Sequence, residues 1–88
     1  MRYLYSLVLV LIASSAGALA QSNLLESVKR NPQEALALCD QFRAFNSRGI
    51  SASSQEAIEQ VSSQRNLNNT DAEILSIYVI GLHCPDVN

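Results

Sequence analysis

The sequence predicts an all-α fold: a small three- or four-helix bundle stapled by one disulfide and preceded by a cleavable signal peptide. Three observations carry this reading. Apolar residues recur at spacings of three and four, and no strand-period segment is long enough to found a sheet. A helix-start signal of one type is written three times along the chain. Finally, there are two cysteines, Cys39 and Cys84, and both lie in the part that export would leave behind.

Residues 1–20, MRYLYSLVLVLIASSAGALA, have the three parts of a secretory signal. Arg2 supplies the positive start, Leu4 to Ala13 an apolar stretch broken by Tyr5 and Ser6, and Ala18-Leu19-Ala20 a small-x-small cleavage site. The uninterrupted apolar run, Leu7 to Ala13, is far shorter than the roughly 20 residues that cross a bilayer. The mature chain is therefore expected to begin at Gln21 and to form a single helical domain over residues 21–88, with no membrane attachment after cleavage.

Without Arg2, the mature chain holds five Lys and Arg against eight Asp and Glu, a net charge of −3. Nucleic-acid and anionic-lipid binding depend on clustered basic side chains, and here only Lys29-Arg30 are adjacent. No nucleic-acid partner is expected.

The first element in order is a short leading helix around Asn23 to Lys29, turning Leu24, Leu25 and Val28 inward. The helix-start signals follow: Asn31-Pro32-Gln33-Glu34, Ser53-Ser54-Gln55-Glu56 and Thr70-Asp71-Ala72-Glu73. In each, a short polar residue able to accept from an orphan helix N–H stands three positions before a Glu able to reach back. Pro32 suits a first helical position, where its missing N–H costs nothing.

The helix from Pro32 to about Arg48 carries Ala35, Leu38, Cys39, Phe42 and Phe45 as an apolar stripe, so Cys39 faces inward. Gly49 then takes the left-handed conformation and Ile50 packs back toward Phe45 in a Schellman closure. A cover helix from about Ser54 to Arg65 turns Ala57, Ile58 and Val61 inward. The last helix, Asp71 to about His83, is apolar almost all round and so is expected to sit centrally. Pro85 stops it at Cys84.

What His83-Cys84-Pro85 does is the chemical question. An exported chain meets an oxidising compartment, and two cysteines allow one intrachain pairing, Cys39 with Cys84. The closed loop of about 45 residues corresponds to a stabilisation of about 4 kcal/mol on chain-entropy grounds. A redox-active pair is the rival, but such cysteines usually sit in Cys-x-x-Cys at a helix start, whereas Cys84 lies at a helix end that disfavours a thiolate. A metal site is the other rival. It needs three or four ligands, and adjacent His83 and Cys84 diverge by about 100° on a helix. No cofactor and no catalytic residue is expected, since the single histidine has no nucleophile at a motif spacing and there is no Gly-rich phosphate loop. Asn68-Asn69-Thr70 is a glycosylation acceptor only in a eukaryotic secretory pathway, and capping explains Thr70 more simply.

The stretches ALALCDQFRAFNSRGIS and NLNNTDAEILSIYVIGLHCPDV resemble the small secreted bacterial domains grouped as domain of unknown function 732. The resemblance runs from about Ala35 to Val87 and rests on Cys39, Gly49, Ala72, Cys84 and Pro85 in order. It implies an exported, helical, one-disulfide module and supplies no activity.

The function expected is that of a small exported module, periplasmic or extracellular, not an enzyme, that binds a protein partner or serves as a structural accessory. Tyr78 is the candidate contact, on whatever face of the last helix its neighbours leave uncovered, with Phe42 and Phe45 better suited to the core. The alternative is a carrier of a small apolar ligand in an interhelical cavity. An enclosed apolar pocket of several hundred Å³ would favour the carrier, and a filled core beside an exposed patch the binder.

Overall fold

The computed structural model describes residues 23–88; the expected signal peptide, residues 1–20, lies outside the described residues. These form four helices: α1 over residues 23–30, α2 Pro32–Ser47, α3 Gln55–Arg65 and α4 Asn69–His83. No strand occurs among the described residues.

Helix α2 follows the apolar stripe: Ala35, Leu38, Cys39, Phe42 and Phe45 are all buried. Its N-terminus differs from expectation. Asn31 makes no side-chain capping bond to α2. Its Nδ2 instead donates to the Ser27 carbonyl at 3.2 Å, beside the Asn31 N–H on the same oxygen at 3.0 Å. Asn31 thus closes the end of α1, and α2 starts on the preset backbone of Pro32. The other end is the expected Schellman closure: the Gly49 N–H donates to the Asn46 carbonyl and the Ile50 N–H to the Phe45 carbonyl, both at 2.9 Å, with Gly49 at φ +78°.

Helix α3 begins one residue later than the Ser53 signal places it. Ser54 is the cap, its Oγ accepting from the Ala57 N–H at 3.2 Å. Ser53 is held in the preceding turn by the Ser51 hydroxyl, which accepts its N–H at 3.1 Å. Ala57 and Val61 are fully buried, and Asn66 ends the helix in the left-handed conformation that asparagine tolerates.

Helix α4 starts two residues before the expected Asp71. Asn68 is its cap, Oδ1 accepting from the Asp71 N–H at 2.8 Å, and Thr70 lies inside the first turn. Asparagine caps slightly better than threonine, so the helix extends to the stronger cap available. As expected, α4 is the element on which both α2 and α3 pack. It is not covered all round: Ala72, Leu75, Ser76 and Val79 are buried, whereas Ile77 and Leu82 stay exposed. Ser76, the one buried polar residue among those described, is satisfied by donating to the Ala72 carbonyl at 2.9 Å.

Beyond α4 the chain doubles back. The Val87 N–H donates to the Cys84 carbonyl at 3.0 Å, closing a turn with Pro85 at the position where its ring is favoured. Val87 enters the core, the Ala52 N–H donates to the Asn88 carbonyl at 2.7 Å, and Arg43 grips Asp86.

Candidate functional site

Cys39 sits mid-helix on the buried stripe of α2 and Cys84 at the C-cap of α4, both fully buried and joined across a Cα separation of 6.0 Å. The chain contains no other cysteine, so no thiol remains for nucleophilic or redox chemistry. Among the described residues no group of three or more His, Cys, Asp or Glu is placed to hold a metal ion. His83 is half-buried in the last turn of α4.

Two surfaces remain. The first is the outward side of α4. From Ile74 to Leu82 this helix carries no charged residue. At about 100° per residue, Ile77, Gly81, Ile74, Tyr78 and Leu82 follow one another round an arc of about 140°. Ile77 is 61 % and Leu82 51 % exposed, while Ile74 and Tyr78 are half-buried, Tyr78 packing against the core. Gly81 is exposed, and a Cβ added there would meet nothing within 4 Å, so no contact inside the chain requires glycine.

Tyr78 therefore lies on this band but is not its most exposed member. Sequence reasoning passed over Ile77 and Leu82; the helical phase of Ile77, about 140–160° from Ala72 and Val79, was a signal for it, whereas Leu82 lies only about 60° from Val79 and no phase argument marked it. Phe42 and Phe45 are fully buried and belong to the interior.

The second surface is a cleft of about 170 Å³ among α1, the start of α2, the end of α3 and α4. Leu24, Val28, Leu38, Leu67, Leu75 and Val79 give it apolar walls. Ser27, Asn31, Glu34 and Arg65 supply its polar lining, the Arg65 guanidinium meeting the Glu34 carboxylate at 3.3 Å.

Farther along α2, Arg43 holds Asp86 with two bonds, Nε to Oδ2 at 3.0 Å and Nη2 to Oδ1 at 3.1 Å. This bidentate hydrogen bonding, with the attraction between the charges, pulls the Asp86 carboxyl below the usual carboxylate range and raises Arg43.

Residues 25–84 match the family described as Domain of unknown function (DUF8664). The chain belongs to this family. The match takes in α1 from residue 25, the whole of α2, α3 and α4, and ends at the second disulfide cysteine, so both halves of the staple lie within it. A domain of unknown function was expected, but the family matched is not number 732. No curated protein and no solved structure matches the chain significantly. Within this domain, no helix of the described residues is long and apolar enough to cross a membrane.

Proposed function

We propose that this domain of unknown function is an exported, non-enzymatic module that binds a protein partner through the outward band of α4, in the periplasm or outside the cell. The observation that carries the reading is the pairing of Ile77, 61 % exposed, and Leu82, 51 % exposed, with an uncharged run from Ile74 to Leu82. Buried apolar surface is worth about 25 cal/mol per Å², and a chain this small has little to forgo, so a band left open on its most apolar helix suits an outside contact. Gly81 adds to this, since glycine inside a helix costs about 1 kcal/mol relative to alanine and has no steric need here. The buried disulfide and the signal-like residues 1–20 support export.

The test is affinity capture from the source cells with the oxidised, exported protein as bait, alongside Ile77→Lys. A protein captured saturably by the wild type and lost with Ile77→Lys is the expected result. Capture unaffected by the substitution, or recovery of small apolar molecules alone, would overturn it. The carrier alternative is less favoured, because the interhelical cleft, at about 170 Å³, falls short of the roughly 300–1,000 Å³ of pockets that enclose a sizeable ligand.

A further inference from the structure

Beyond α4 the returning chain binds α2 in step with it. Cys84 is joined to Cys39, Asp86 to Arg43 and Asn88 to Asn46. At about 100° per residue, Cys39, Arg43 and Asn46 fall within about 60° of one another, so residues 84–88 follow the flank of α2 that carries the disulfide. Val87, between the last two anchors, belongs to the same buried cluster as both cysteines. We infer that residues 85–88 are a guard strap, which keeps thiols from the disulfide and whose local release, without unfolding of the bundle, opens it to reduction.

Two observations carry this. Cys84 is fully buried although it is the C-cap of α4 and the next two residues, Pro85 and Asp86, are exposed. Burial at such a helix end calls for the chain that doubles back beside it. The strap is also easy to lift. Apart from Val87 and one main-chain bond from Ala52, its anchors are surface contacts: the Arg43 and Asp86 side chains are 47 % and 62 % exposed, and the Asn46–Asn88 bonds are exposed as well. Exposed pairs hold weakly, and a segment with few buried apolar contacts opens well before the whole fold does. With the strap lifted, one thiolate of a dithiol attacks Cys84 Sγ and expels the Cys39 thiolate. The second thiolate attacks the mixed disulfide and expels the Cys84 thiolate; two electrons pass to the protein, both cysteines take up protons, and the dithiol leaves as a cyclic disulfide. No residue of the outward α4 band takes part, so the strap stands or falls independently of the partner-binding reading.

The experiment is the rate of reduction of the oxidised protein by dithiothreitol, read by thiol titration, in the wild type, Arg43→Ala, Asn46→Ala and Asn68→Ala. Arg43→Ala loosens the strap at an exposed pair and changes global stability little. Asn68→Ala removes the cap at the other end of α4, lowering global stability with the strap intact. Without denaturant, reduction should be about threefold faster in Arg43→Ala and about tenfold faster in Asn46→Ala than in the wild type. Both rates should stay flat up to about 1 M urea, because local release exposes little surface. Asn68→Ala should match the wild type within about twofold. Strap variants reduced no faster than the wild type, rates that climb with urea in parallel with global unfolding, or Asn68→Ala accelerated as much as Arg43→Ala would each overturn the inference.

Discussion

Asn46 and Asn88 hold one another reciprocally. The Asn46 Nδ2 donates to the Asn88 carbonyl at 2.9 Å, and the Asn88 N–H donates back to Asn46 Oδ1 at 2.8 Å. One side chain on α2 thereby satisfies both main-chain groups of a residue 42 positions away. The same Nδ2 also donates to the Ile50 carbonyl at 3.0 Å, so Asn46 ties the Schellman turn to the returning tail. With both Nδ2 bonds ending on carbonyls and Oδ1 taking an N–H, only one orientation of the amide fits the network.

Asn46→Ala removes three bonds at a partly exposed site, and we expect a loss of about 1–2 kcal/mol. Asn46→Asp should recover only the bond from the Asn88 N–H. Chemical denaturation gives the energies, and amide exchange at Asn88 should accelerate in both variants.

Removing the disulfide by replacing Cys39 and Cys84 together with alanine should cost about 2–5 kcal/mol, comparable to the whole stability of a domain this small. Because both sulfurs are fully buried, dithiothreitol should leave the native protein oxidised and reduce it once denaturant opens the bundle. Thiol titration with and without urea checks this. Rapid reduction of the native form would contradict the burial.

Gly49→Ala should destabilise by about 1–2 kcal/mol, because an L residue is disfavoured at φ +78° while the added Cβ itself meets no atom within 4 Å. The penalty is one of backbone conformation alone, so Gly49→Asn should cost less. Thermal unfolding of the two variants makes the comparison.

The Asp86 carboxyl should titrate below its ordinary value of about 4. Its folded pKa is depressed, so the Arg43 contact contributes above the ordinary carboxylate range and is lost as pH falls through the lowered value. A carboxyl-carbon NMR titration of the wild type and of Arg43→Ala reads this directly. The midpoint should rise in the variant, and an unchanged midpoint would show that the bidentate contact does not persist in solution. Both groups are solvent-exposed, so the global stability change should be small.

The interior of α2 was legible because Ala35, Leu38, Cys39, Phe42 and Phe45 repeat with the helical period and have a glycine-coded stop at Gly49. The starts of α3 and α4 were legible only to within one or two residues. Ser53 and Ser54 are chemically equivalent caps, as nearly are Asn68 and Thr70, and what separates Ser53 from Ser54 is that Ala52 is buried and paired with Asn88. The band on α4 was half legible. Its apolar composition showed in the sequence, but which part of an all-apolar helix stays uncovered depends on where α2 and α3 come to rest. The cleft was not legible, since its walls come from α1, α2, α4 and the connection before α4, and no local pattern records their separation.

By itself, the sequence determined the helical class, the inward stripe of α2, the Gly49 stop and the single possible cysteine pairing, because each depends on local backbone preference or on simple counting. Tertiary structure alone decided the fold-back of residues 84–88, with Val87 entering the core, Arg43 clasping Asp86 and Asn46 receiving Asn88. Those contacts join residues more than forty positions apart. Their partners are individually ordinary polar side chains, and only the packing that brings α2 beside the end of α4 makes them neighbours.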